Sequence, residues 1–428
     1  MLKALKRLWK DDRGNILIIF GAALPLLVGA AGLASDTIQW TLWNRQLQRA
    51  ADSGALAGVY DREAANGSSS ATTAAVNHDL TINQHTWMAL RVPAQVTFPA
   101  NTTQMINQVA VRLEVQQRLP FSSLFLATAP IIVAESRAAA VITGGDACVE
   151  ALDPSTVTGI TFTGNSAIDM PDCDIFSNSA GTNSAIAQGS TQVKANSVGG
   201  VGGVQQSTKF TVNAYRPYSP ALQDPFANVN PDPSQMNCGN GNVALTDSTD
   251  FSTLNGVNCF KSISVQPNRT LVVPPDFGPI YVNGGDADFK GNFTCTGCSI
   301  VMTNSDPASS SIGNFTANAT TSVNITAPTS GQYQGIAIMQ DRRASDCNNC
   351  NKINGNSGSV IQGAIYFPKQ ELQYNGTGNT VATCTMFVAK RINFSGNSST
   401  SNRFRSLAEC AGFGLPSNPS SRLIRLVA

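Results

Sequence analysis

The chain has 428 residues, a formal net charge of +1, and only 13% charged residues beside 42% hydrophobic ones. The near-zero balance excludes bulk electrostatic binding of nucleic acid, and the charged share is about half that of an average soluble domain. The length gives room for two or three domains.

The first 14 residues are a basic leader: Lys3, Lys6, Arg7, Lys10 and Arg13 face only Asp11 and Asp12. Residues 14–35 then carry no charge. As a helix these 22 residues cover roughly 33 Å, enough to cross the roughly 30 Å hydrocarbon layer. Trp9 precedes the span and Trp40 and Trp43 follow it, where interfacial aromatic belts sit. The next base is Arg45, so the positive-inside rule predicts a single pass with a cytoplasmic N-terminus. Pro25 is tolerated in a spanning helix. Gly32-Leu-Ala34 offers a small-residue cleavage site, but the apolar core exceeds the usual length of a signal peptide.

The helical pattern continues past the span to residue 60. Trp40, Trp43, Leu47, Ala50, Gly54 and Ala57 step by three and four, an interaction seam with heptad spacing. The same stripe serves either as the core face of one amphipathic helix or as the contact of a homo-oligomer. Fewer than three heptads do not choose between them.

Arg13-Gly14, the apolar span with Pro25, Gly32-Leu-Ala-Ser-Asp36 and Arg45-Gln-Leu-Gln-Arg-Ala-Ala-Asp-Ser-Gly-Ala-Leu-Ala57 resemble the N-terminal segment of TadE/TadG-like Flp (tight adherence) pilus-assembly proteins. The resemblance covers about the first 60 residues. It implies a component of the pilus machinery, anchored in a bacterial inner membrane with other pilus-assembly proteins as partners. Processed pilins carry Glu five residues after their cleavage Gly; here Ile19 stands there, with Phe20 beside it, which speaks against processing after Gly14. Some TadG-like proteins carry a von Willebrand A domain, whose Asp-x-Ser-x-Ser metal run does not occur in this sequence.

Residues 61–145 read as a small α+β region. A short helix is predicted over 71–80, strands over 92–98, 106–115 and 131–142, and a helical turn over 121–127 after Pro120. From residue 146 to 428 the texture is Gly-, Asn-, Ser- and Thr-rich. Gly291, Gly313, Gly335, Gly355, Gly376 and Gly396 recur about every 21 residues beside short apolar runs. That spacing predicts the coils of a β-solenoid, with an irregular β-sandwich as the alternative. The Pro-rich stretch between Ser197 and Phe289 breaks the period, as an excursion or a linker between two blocks of coils.

All ten cysteines lie in this last region: Cys148, Cys173, Cys238, Cys259, Cys295, Cys298, Cys347, Cys350, Cys384 and Cys410. An even count confined to the non-cytoplasmic side predicts disulfides, and the spacing favours Cys148–Cys173, Cys238–Cys259 and Cys384–Cys410. The two Cys-x-x-Cys pairs also fit a zinc site. The only histidines, His78 and His85, precede the region, so hydrolase chemistry that needs a histidine base has none there. Asp169, Asp172 and Asp174 around Cys173 are carboxylates a glycosidase could use, though a turn beside a disulfide explains them equally well. Gly284-Gly-Asp-Ala-Asp288 is similar to a calcium turn but occurs once, where such sites need stacked copies, so an exposed turn is the better reading. The expectation is a non-enzymatic, cofactor-free and metal-free protein with its bulk in the periplasm. A membrane-tethered carbohydrate-active β-helix enzyme and a released surface adhesin are the alternatives.

Overall fold

The computed structural model describes residues 15–65, 67–83, 89–239, 243–355, 359–376, 380–396, 399–403, 410–416 and 419–427. The basic leader, Asn66, His85, Asn356, Asn397 and Glu409 lie outside the described residues. The fold is mainly β, with one long apolar N-terminal helix and a large, mostly parallel sheet. Two compact units form, Met1–Ile142 with Leu423–Ala428, and Thr143–Arg422. The break falls three residues before the expected boundary, and the last strand returns to the first unit instead of closing the second.

In the first unit, α1 (Asn15–Ala64) is one unbroken helix with Pro25 inside it, followed by α2 (Thr72–Asn83). β1 (Gln95–Thr97), β2 (Met105–Val115) and β3 (Ile132–Ile142) pair antiparallel in sequence order, and the C-terminal strand Arg422–Leu426 extends the sheet beside β3. β2 alternates as its sequence demands: Val109, Val111, Leu113 and Val115 are buried on one face. A bulge between Ile106 and Val109, with Asn107 at φ 52°, resets the register.

α1 meets that buried face through Trp43, Leu47, Ala50, Ala51, Ala55 and Val59, with Val76 and Leu80 of α2 closing the core. The buried set recurs at i, i+4, i+7, i+8, which is the broad stripe of a core helix and wider than a coiled-coil seam. Most of the expected seam is thus occupied by the unit itself: Trp43, Leu47, Ala50 and Gly54 are buried, while Trp40 and Ala57 are half-buried at its edges. This is the core-face reading; the residues are not a free stripe for a second helix.

In the second unit, neighbouring strands are parallel. One ladder runs from Cys259–Phe260 through Gly278–Asn283, Cys298–Thr303 and Ile336–Gln340 to Val360–Gly376 and Thr385–Ser395. It then continues onto Ala147–Ala151, Ala167–Ser177, Gln192–Gly200 and Phe210–Arg216. Further parallel ladders run beside it, through Ala287–Phe289 with Phe315–Ala317 and through Asn292–Thr296 with Val323–Thr326. The interior is aliphatic and aromatic, with Phe162 stacked on Phe394 at 5.0 Å and Phe289 against Phe315 at 5.2 Å.

The order of the ladder is permuted relative to the chain. Phe387 pairs with Val149, so the last strands sit on the first, and the free ends of the stack lie near residues 216 and 245. Of the stretch between Ser197 and Phe289 only residues 217–244 are a linker between two blocks; the strands from Leu245 to Phe289 belong to the ladders, against the expected break. Nine steps of 4.8 Å make roughly 43 Å, and 28 extended residues reach about 92 Å, so residues 217–244 suffice. Arg342 holds this connector, donating to the carbonyls of Val229 (3.0 Å) and Phe226 (2.6 Å) and to Asp224 (2.9 Å).

The glycine series is only partly one corner. Gly355 pairs with Gly376. The backbones of Gly396 and Gly164 meet, as do those of Gly164 and Gly189, all three at positive φ, and a Cβ on Gly164 or Gly189 would strike the neighbouring backbone. Gly291, Gly313 and Gly335 instead abut Gln266, Gly285 and Gly414 at other turns. The spacing between paired strands is also unequal: Tyr281 pairs with Val301, but Val301 pairs with Met339 because long loops intervene.

Candidate functional site

The uncharged start of α1 is bare. Ile19, Phe20, Leu24, Leu26, Leu27 and Val28 are all at least half exposed, and the space around Gly21 and Gly29 is open. The helix is long and apolar enough to cross a membrane, and its most apolar stretch is only 11% buried. Packing begins at Gly32, where an added Cβ would collide with the Phe121 ring. One turn later the buried Asp36 carboxylate accepts the Ser122 backbone N–H at 2.5 Å. Asp36 thereby caps the 3-10 turn Ser122–Leu124, whose first amides have no partner within the turn.

The small residues further along exist because two elements press on them. At Gly54 an added Cβ would sit 3.3 Å from Val76 and 3.6 Å from Leu80; at Gly58 it would sit 2.8 Å from Val109. Gly54→Leu is accordingly expected to destabilise the first unit by about 1–3 kcal/mol through overpacking. Faster limited proteolysis between residues 60 and 142 would register it, whereas wild-type resistance would mean that α2 yields without cost.

In the second unit the cysteines stand in five pairs at disulfide distance. The Cα–Cα separations are 5.5 Å for Cys148 and Cys173, 4.3 Å for Cys238 and Cys259, and 5.4 Å for Cys384 and Cys410. They are 6.0 Å for Cys295 and Cys298, and 5.9 Å for Cys347 and Cys350. Among the described residues no group of three or more Cys, His, Asp or Glu side chains is placed to hold a metal ion. Asp286 and Asp288 of the suspected calcium turn are engaged by the Asn314 amide and by Lys290. His78 is exposed on α2.

The three aspartates around Cys173 have separate surroundings. Asp169 lies 3.8 Å from Lys194, Asp172 is exposed, and Asp174 is fully buried, bonded to Asn196 at 2.7 Å and to Ser420. A different polar cluster, which sequence reasoning missed, gathers across neighbouring strands and loops. Arg391 donates to Asp153 (2.6 Å), Asp346 (2.8 Å) and Asn348 (2.5 Å), Lys390 donates to Asp346 (2.6 Å), and Glu371 pairs in register with Arg391. Burial pushes the Asp153 carboxyl up, but hydrogen bonds from Ser155 and Arg391 outweigh it and hold the group below its ordinary range. Burial acts the same way on Asp346, and Lys390 and Arg391 likewise overcome it. At Glu371 burial wins and raises the carboxyl, with Arg391 opposing. Residues 346, 371 and 391 meet within one block, and the permuted pairing of the last strands with the first adds Asp153.

Residues 14–66 match the Tad family model, described as "Putative Flp pilus-assembly TadE/G-like". No curated protein and no solved structure matches the chain. The Tad segment coincides with α1, from the start of the uncharged stretch to just past its last turn. Its two distinctive parts have distinct local roles. Asp36 caps the 3-10 turn, and the Ala50–Gly58 run admits β2 and α2 at close range. The Tad segment also contains core residues that a strict heptad reading passed over, Ala51, Ala55, Gly58 and Val59; continuing the pattern at i+4 from Leu47 finds three of them.

Proposed function

We propose that the protein is a non-enzymatic component of Flp pilus assembly or surface attachment, anchored in the bacterial inner membrane by α1. Its N-terminus would be cytoplasmic, and both units would lie on the periplasmic side. The observation that carries this reading is the match of the Tad segment to a helix whose first half is apolar, bare and uncharged. The basic leader and the confinement of cysteines beyond residue 147 support the orientation. The parallel ladders are read as the coils of a β-solenoid that serves as a scaffold, with the five cysteine pairs as its disulfides.

Deleting the gene is expected to abolish pilus-dependent attachment, with protease added to spheroplasts digesting both units and sparing the N-terminus. A mature chain beginning at Asn15 or Ser35 by mass spectrometry would sink the uncleaved anchor.

A carbohydrate-active enzyme is the second reading, and one observation favours it. Glu371 is raised while Asp346 is lowered, the separation of acid and base that glycoside cleavage uses. As a scaffold, the protein should keep full attachment function with Glu371→Gln and Asp346→Asn together. Loss of function with unchanged protein level would favour the enzyme.

A further inference from the structure

The turn after β2 exposes an unusual amount of apolar surface. Leu124 is 76% exposed, Phe125 68%, Leu126 45% and Ile131 46%, and residues 119–134 carry no charge at all. Large apolar side chains clustered this way on a surface mark something that covers them. Two contacts fix where the cluster lies. The Phe121 ring abuts Gly32, and Ser122 is bonded to Asp36. A layer of roughly 30 Å takes about 20 residues of helix, and residues 14–35 offer 22 without charge. Its edge must then fall within about two residues of Ser35, level with these contacts. The turn also pairs its amides: Ser123 N–H donates to the Leu119 carbonyl, Leu124 N–H to Phe121, and Phe125 and Leu126 N–H to Ser122. A segment entering an apolar layer needs such internal pairing. At its base Arg118 donates to the Ala127 carbonyl (2.8 Å), closing the loop.

We propose that the turn Phe121–Leu126 is a second membrane contact, with Leu124 and Phe125 inserted into the lipid interface beside the exit of α1. The proposal rests on the membrane reading of α1. It makes the first unit a body held at two points, which fixes its rotation about the helix axis where a single span would leave it free.

The test uses the full-length protein reconstituted in phosphatidylethanolamine–phosphatidylglycerol vesicles, with a fluorophore on Phe125→Cys, Leu27→Cys or Tyr60→Cys in separate samples. Phe125, Leu27 and Tyr60 are all exposed, so labelling leaves the core alone. Tyr60 lies 25 residues beyond Ser35, roughly 37 Å further along the helix, and reports water. Lipids brominated on the acyl chain should quench the Leu27 and Phe125 labels roughly twofold or more and leave the Tyr60 label unchanged. Quenching at Leu27 with none at Phe125 would overturn the proposal, leaving the turn in water or against a protein partner while the span stands. No quenching at Leu27 would overturn the membrane reading and this proposal together.

Discussion

Replacing Arg391 with Met is expected to destabilise the second unit by about 3–5 kcal/mol. Arg391 is 9% exposed and its guanidinium spans two carboxylates, of which Asp153 is 4% exposed. Methionine keeps the length and the packing but leaves the Asp153 charge without its ion-pair partner. What remains to it is Ser155, whose backbone N–H donates at 3.0 Å, and the more distant Lys390. The pH dependence separates this account from simple loss of packing. Asp153 and Asp346 have depressed folded values, so their stabilisation is complete above the ordinary carboxylate value near 3.9 and is lost as pH falls through their lower folded values. Without Arg391 these groups gain less by ionising, keeping only Ser155 and Lys390, and the half-buried Glu371 loses the cation opposing its rise. The wild type should therefore weaken as pH falls below about 4, while the variant weakens less, so that the gap between their denaturation midpoints narrows. A gap independent of pH would point to packing alone. Asp153→Asn added to Arg391→Met should restore part of the loss, because the uncompensated charge is then gone.

The first unit was legible almost element by element. Its helices and strands announce themselves through local period: apolar alternation in Val109–Val115, the uncharged run before Asp36, and Pro120 at the start of the helical turn. What the local pattern left open was who covers the stripe on α1. That depends on the curvature of the sheet and on the return of α2, which bring Val76, Leu80 and Val109 onto Gly54 and Gly58. In the second unit the short apolar runs at Ile300, Val323, Ile336, Ile365 and Met386 fall in strands with parallel neighbours. The order of those strands was not legible. A parallel ladder is indifferent to whether the next strand comes from the next residues or from 238 residues earlier, as Phe387 and Val149 demonstrate. Only the Asp153 arm of the Arg391 cluster depends on that join, since Asp153 belongs to the N-terminal block while Asp346, Glu371 and Arg391 share the other. The glycine period misled for a related reason: loops of unequal length let glycines from different corners fall at even spacing.

Reduction is expected to weaken the second unit severely, and unequally from pair to pair. On the loop-entropy account a link closing 21–26 residues restricts the unfolded chain by about 3–3.5 kcal/mol, and one closing three residues by about 1.5 kcal/mol. Position sharpens the ranking. Cys148 and Cys173 join paired strands at the start of one block, whereas Cys238 ties the end of the connector to Cys259 in the first strand of the main ladder. Losing the latter removes the connector's covalent tie and leaves it to hydrogen bonds such as those from Arg342, Asn178 and Gln332. Cys295 and Cys298 flank Gly297, at φ +70°, within a single corner, so their link stiffens a turn that glycine already permits. Serine pairs at 148 and 173, at 238 and 259, or at 384 and 410 should each lower the melting temperature by several degrees. Those at 295 and 298 or at 347 and 350 should shift it by half as much or less. A chelator without reductant should leave every melting curve in place. Loss of structure on chelation alone would instead mean that the two Cys-x-x-Cys pairs hold zinc.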